Sequence, residues 1–332
     1  MKGQRQPAAV VLVNLGTPDA ATPKAVRKFL REFLSDSRVV EIPRILWLII
    51  LNLFVLPFRP TRVAEAYKLV WTDRGSPIRW ITEDQVAGLS ARLAQRYSES
   101  PPSVRYAMTY GGPSIPETLN ALYETGHRRI LVLPMYPQYS GSTTGAVYDQ
   151  VTDFVKGRRA LPGLTVINAY FYQEAYINAL SESIEDFWQA QGRSDYLLFS
   201  YHGIPKSYVD AGDPYAGHCE CTTAAVSQKL SLTDANSGMA YQSRFGKAEW
   251  LKPYADKTIE ELARSGLETL DVVCPAFSAD CLETLEEIAM QNRELFEQAG
   301  GKELRLIPCL NASDAHMRAL EQIVSPYLDG MV

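Results

Sequence analysis

Cysteine is scarce, with five residues in 332, an odd number. At positions 219, 221, 274, 281 and 309 they give no disulfide framework of the kind that staples small secreted domains. Positive charge is not in excess either. Lys and Arg total 33 against 38 Asp and Glu, a net charge of −5, so the basic footprint of a nucleic-acid binder is missing. No G-x-G-x-x-G occurs and no loop ends in Gly-Lys-Ser/Thr, which counts against a dinucleotide or nucleotide phosphate site. Met1–Pro7 is polar and lacks the apolar centre of a signal peptide. A reducing, cytoplasmic setting is expected.

Long apolar runs are missing, with one near exception. Ile45–Phe58 reads ILWLIILNLFVLPF between Arg44, Arg59 and Arg62. As a helix it would span roughly 20 Å, short of the ~30 Å hydrocarbon core, and Asn52 and Pro57 interrupt it. Two readings stay open. One is a buried core helix. The other is an exposed apolar lip with basic flanks, resting on the inner face of the cytoplasmic membrane through residues such as Leu48, Leu51 and Phe54, or lining the mouth of an apolar pocket.

What is present suits a large core: 46% of residues are hydrophobic and 21% charged, enough for one large domain or two modest ones. Short apolar runs end in Gly or Pro at Ala8–Gly16, Val104–Gly111, Arg129–Pro134, Tyr196–Gly203 and Leu270–Pro275, with helix-like stretches such as Pro23–Leu34, Glu83–Tyr97 and Leu282–Ala299 between them. That alternation predicts parallel sheets covered on both faces. The halves also echo each other. VVLVNLGTP (Val10–Pro18) parallels LLFSYHGIP (Leu197–Pro205), and Arg129–Thr143 parallels Thr269–Thr284. The expectation is two similar Rossmann-like α/β domains, over residues 1–170 (with the lip at 44–60) and 171–310, followed by a C-terminal helix at 311–332 that returns to the first. Sites in such folds gather at the C-terminal ends of strands.

Several motifs fall there. His202 follows the run Tyr196–Phe199, just before Gly203 and Pro205 enforce a turn. An imidazole projecting from a strand end is suited to proton transfer; a structural His is the alternative. His127 and His316 are expected to be solvated. Glu283 and Glu287 are four apart on an expected helix and share a face. Like charges so placed make sense if a metal ion or protons visit, or else they are a solvated acidic first turn that suits the helix dipole. Tyr136–Gly145 (YPQYSGSTTG) is a small polar loop in which Ser140, Ser142 and Thr143 can receive a carboxylate. His218-Cys219-Glu220-Cys221 has the wrong spacing for a zinc knuckle. Trp250 is either a core residue or a platform for a flat ligand.

Together these motifs resemble the ferrochelatase family, from VNLGTP (Val13–Pro18) to LNASDAHM (Leu310–Met317). SYHGIP, GDPY (Gly212–Tyr215), YQSRFG (Tyr241–Gly246), EWLKPY (Glu249–Tyr254) and CPAFSADCLETLEEI (Cys274–Ile288) are the most specific parts. The resemblance implies the type II chelatase fold, two four-stranded parallel sheets with flanking helices, and insertion of Fe2+ into protoporphyrin IX to form heme. His202 and Glu283 match the family's catalytic pair on opposite faces of the porphyrin. His202, Glu283 and Glu287 match its metal-handling row. Leu15, Tyr110, Tyr136, Tyr201 and Trp250, with Ser140, Ser142 and Thr143, are expected to contact porphyrin. Fe2+ is a substrate, and no prosthetic group is expected. Gly141 replaces a Cys that helps hold a [2Fe–2S] cluster in animal relatives, and the chain ends without a Cys-rich tail, so no cluster is expected. Leu15 stands where coproporphyrin-using relatives often carry Tyr, which points to protoporphyrin. Rival readings are coproporphyrin as substrate, a cobalt or nickel chelatase of the same fold, and a non-catalytic clamshell that only binds tetrapyrrole. Either a monomer or a dimer is compatible with the sequence.

Overall fold

The computed structural model describes residues 7–246 and 248–331. The polar leader, apart from Pro7, lies outside the described residues.

Eight strands are described: Ala8–Gly16 (β1), Ser103–Tyr110 (β2), Arg129–Pro134 (β3), Gly163–Val166 (β4), Tyr196–His202 (β5), Ser237–Gln242 (β6), Thr269–Val273 (β7) and Glu303–Leu306 (β8). They form two parallel four-stranded sheets of identical order, β2-β1-β3-β4 and β6-β5-β7-β8. The chain divides into two compact units. One runs through Ala169 and takes back the segment from Leu320; the other is Tyr170–Ala319.

Each sheet is built around its most apolar strand. In β1, Ala9 to Val13 have no accessible surface, and in β5 the same holds for Leu198 and Phe199. A strand buried on both faces reads as a continuous apolar run, which is how parallel sheets clad by helices appear in sequence. In the first unit Val11 and Val13 pack with Ile115, Leu119, Val147 and Val151. In the second, Leu198, Ala240 and Leu270 pack with Ile259, Ile288 and Phe296. The last helix, Asp314–Leu328, straddles the division between units. Its end is tied within the first unit by Arg92 to Glu321 at 3.2 Å and by the Tyr97 hydroxyl donating to Asp329 at 2.6 Å.

One glycine is sterically compulsory. Gly16 closes β1 at φ +104°, and a Cβ there would lie 1.8 Å from the Tyr110 carbonyl oxygen. Only glycine lets the two strand ends approach this closely.

The apolar segment resolves into a helix Arg44–Ile50, a π-turn Leu51–Val55 and a helix Arg59–Val70, the pair bent by 67°. Trp47, Leu51 and Leu56 are buried. Trp47 Nε1 donates to the Leu34 carbonyl at 2.5 Å, and Arg44 donates to the Ser35 carbonyl. Ile45, Leu53, Phe54 and Phe58 are 61–78% exposed. The segment is thus exposed along one side and buried along the other, so the reading of a fully buried core helix fails. Of Leu48, Leu51 and Phe54, only Phe54 lies on the exposed face, because Leu51 is fully buried and Leu48 half-buried. Among the described residues no single helix is long and apolar enough to cross a membrane.

Candidate active site

The second unit concentrates the titratable groups at one strand end. His202 is the last residue of β5, paired in register with Gln242 of β6. Its Nδ1 lies 2.7 Å from the Gly203 carbonyl oxygen. A carbonyl can only accept, so Nδ1 carries the proton of this contact. The ring is half-buried, with the Phe277 ring 6.4 Å away.

The two carboxylates come from a helix of unexpected type. Glu283–Asn292 is a ten-residue π-helix, continued by an α-helix over Arg293–Gln298. Its i→i+5 bonds open the turn wider than an α-helix does, and such segments recur at functional sites. The helix is anchored at its start by Asp280. That buried carboxylate accepts from the Thr284 hydroxyl at 3.1 Å, from the Asn311 side chain at 2.7 Å and from the Cys309 backbone N–H at 3.3 Å.

Glu287 is the best-held member. Its carboxylate accepts from the Ser243 N–H at 2.7 Å, from the Ser243 hydroxyl and from Gln242 Nε2 at 3.3 Å. Burial holds the Glu287 carboxyl above the usual carboxylate range; the Glu283 charge pushes the same way, whereas the Ser243 bonds and the His202 imidazole pull it down. Glu287 therefore feels both other members of the expected set. Glu283 is half-buried, and the neighbouring Cys281 thiol hydrogen-bonds it. Glu287 thus interacts with both His202 and Glu283. Among the described residues, no group of three or more His, Cys, Asp or Glu is arranged to hold an ion.

Two porphyrin-contact expectations fare differently in this unit. Tyr201 is fully buried and its hydroxyl pairs with Thr223 at 2.9 Å, so its side chain lies in the core rather than at the strand end. Trp250 is 6% exposed and donates to the Phe245 carbonyl at 3.0 Å. Its ring would be 3.2 Å from a Cβ on Gly203, so it braces the turn after His202 and offers no open face. The half-exposed aromatics there are Phe277 and Phe245, which sequence reasoning missed although YQSRFG and CPAFSAD contained them. His218 stacks on Phe171 at 3.8 Å while Cys219 is buried and Cys221 exposed, so that motif makes no metal cluster.

In the first unit, Leu15 is half-buried at the end of β1, at the position in β1 that His202 holds in β5. Tyr110 ends β2, 2% exposed, its hydroxyl donating to Asp36 at 2.8 Å. Burial and the Asp36 charge push its phenol far up, so it stays protonated. A groove of about 580 Å3 beside it is lined by Lys24, Arg27, Lys28 and Arg31 from one helix face, together with the Glu32 and Asp36 carboxylates. Tyr136 is half-buried after β3. Ser140 is fully buried and accepts from the Ser142 N–H at 3.2 Å, and Thr143 donates to the Ser140 carbonyl at 3.3 Å. The loop thus enters a π-turn, Gly141–Gly145, where a plain loop was expected.

The family model described as Ferrochelatase matches residues 7–328. The chain is 50% identical to the ferrochelatase of Psychrobacter arcticus over 97% of this chain and 95% of the relative. It is 49% identical to that of Thioalkalivibrio sulfidiphilus, over 99% and 89%, and 49% identical to that of Photobacterium profundum, over 97% and 98%. Among solved structures, SirB from Bacillus subtilis with Fe3+ superposes with a TM-score of 0.56 over 98% of this chain and 97% of SirB, at 11% identity. CbiX, the terminal enzyme for siroheme biosynthesis in denitrifying bacteria, superposes with a TM-score of 0.51 over 96% of this chain and 98% of CbiX, at 11% identity. At that identity the two share the fold alone with this chain.

Proposed function

Because the chain belongs to the ferrochelatase family, an enzyme family that makes heme by inserting Fe2+ into protoporphyrin, we propose that His202 and Glu283 manage the two pyrrole protons while Glu287 handles the incoming ion. Metallation replaces two N–H protons with one Fe2+, so two protons must leave for each ion bound. The observation that carries the assignment is the contact of His202 Nδ1 with the Gly203 carbonyl. With Nδ1–H committed to the Gly203 carbonyl, Nε2 is left as a proton acceptor at the strand end.

Glu283 stands on the first turn of the π-helix and Glu287 behind it. A carboxylate there takes the second proton or exchanges water for itself on the ion. A porphyrin held out of plane presents its nitrogen lone pairs to the metal, and binding of its apolar rim offsets that strain. Its propionates are received in the first unit by the Lys24, Arg27, Lys28 and Arg31 side chains of the groove beside Tyr110.

His202→Ala is expected to lower iron insertion by at least about a hundredfold, the usual scale of a general base, while porphyrin still binds. Turnover near the starting rate, with fold intact, would return His202 to a structural role. Glu283→Gln is expected to behave in the same way. The lip is proposed to rest on the cytoplasmic membrane face, with Ile45, Leu53, Phe54 and Phe58 as its contact residues, their large exposure being the support.

A further inference from the structure

Gln242 ends β6 beside His202, its partner in the strand register. Its side chain is 2% exposed, so it touches no substrate. Both ends of its amide are in use. Oε1 accepts from the Ser200 hydroxyl at 2.7 Å, on the strand that bears His202, and from the Cys274 thiol at 3.6 Å, just past β7. Nε2 donates to the Glu283 carbonyl at 2.9 Å and to Glu287 Oε2 at 3.3 Å. The Glu283 carbonyl can only accept, so it must face the NH2, and the orientation of the amide follows. Ser243, held at φ +67°, turns its N–H and its hydroxyl onto the same Glu287 carboxylate. A non-glycine residue in that region is uncommon and is kept where surrounding contacts demand it.

We propose that Gln242 is a positioning residue, a buried amide clasp that fixes the first turn of the π-helix to the strand end bearing His202 and so sets where Glu283 and Glu287 stand relative to the imidazole. The clasp needs an acceptor at one end and donors at the other. A glutamate of the same shape offers no donor to the Glu283 carbonyl and adds negative charge beside Glu287. A methionine fills the volume and holds nothing. The assignment rests on the reading that Glu287 handles the incoming metal.

The test is a double-mutant cycle on the whole chain, pairing Gln242→Met with Glu287→Gln. Porphyrin metallation is followed by absorbance with Zn2+ and with Fe2+ as the varied ion. Gln242→Met is expected to raise the KM for the ion about tenfold and to leave the KM for porphyrin within about twofold. In the double variant, Gln242→Met is expected to add little to Glu287→Gln, because both act through one carboxylate. Should Gln242→Met fail to fold by thermal melting, Gln242→Glu keeps the volume and is expected to raise the same KM. Folded Gln242 variants with an unchanged KM for the ion overturn the clasp, as do fully additive effects or a fall in kcat alone. If Glu287→Gln leaves the KM for the ion unchanged, the role given to Glu287 fails first and this assignment with it. That failure is distinguished by the Glu287 arm of the cycle.

Discussion

His316 shows how far one side chain can depart from its expected setting. A histidine on the last helix looked solvated, yet this one is 1% exposed. Its Nδ1–H donates to the Asn311 carbonyl at 2.6 Å, and its Nε2 is buried without a partner. Burial pushes its pKa from 6.5 down to about 4. The folded state holds the ring neutral, and the unfolded state takes up the proton more readily. Its contribution to stability is therefore complete above pH 6.5 and is lost as pH falls toward about 4, a change on the order of 3 kcal/mol. His316→Asn keeps a donor for the Asn311 carbonyl and removes the titration. The variant is expected to flatten the acid limb of stability between about pH 6.5 and 4, measured by urea unfolding at stepped pH. An acid limb as steep as in the unmodified chain would assign that pH dependence to other groups. The sequence could not place His316 because a helix records which face a residue takes, not what comes to cover it. Trp250 posed the same problem, since a bulky aromatic after a strand serves equally as ligand platform and as brace for the Gly203 turn.

Elements were legible where their apolar pattern was unambiguous. The runs of β1 and β5 could only be strands buried on both faces. The π-helix was not legible. Glu283 and Glu287 share a face under either hydrogen-bond pattern, and the contacts at the helix start are tertiary: the Asp280 hub and the Gln242 bond to the Glu283 carbonyl. The lip was half legible. A fourteen-residue apolar segment reads alike whether covered or bare, and the choice was made by Trp47 docking on the Leu34 carbonyl, with Ile45 and its neighbours exposed. Replacing Ile45, Leu53 and Phe58 together with Ser is expected to weaken binding to anionic vesicles by at least about tenfold, since each buried aliphatic or aromatic side chain contributes roughly 1.5–3 kcal/mol. The melting temperature should hold, which a vesicle sedimentation assay run beside a thermal melt would check. Leu51→Ser is the contrast. Leu51 has no accessible surface, and its loss should cost about 3 kcal/mol of stability. Unchanged vesicle binding in the triple variant would leave the lip to line a pocket mouth.

For the molecule as a whole, the two sheets were legible because the same motif order occurs twice, and the shared order β2-β1-β3-β4 and β6-β5-β7-β8 answers to it. The choice of porphyrin is tested through Leu15, at the end of β1. Leu15→Tyr is expected to raise the ratio of coproporphyrin to protoporphyrin turnover several-fold, read from kcat/KM with each porphyrin at fixed Fe2+. A ratio that does not move would take Leu15 out of substrate selection.

The match of Leu15 to His202 has a consequence of its own. VNLG and SYHG occupy equivalent points on two copies of one scaffold, and the backbone that presents a greasy side chain in one presents a base in the other. Once a duplicated frame exists, such a swap costs no new architecture. The two positions thus differ in side chain on one backbone design, a leucine on the first sheet and an imidazole on the second.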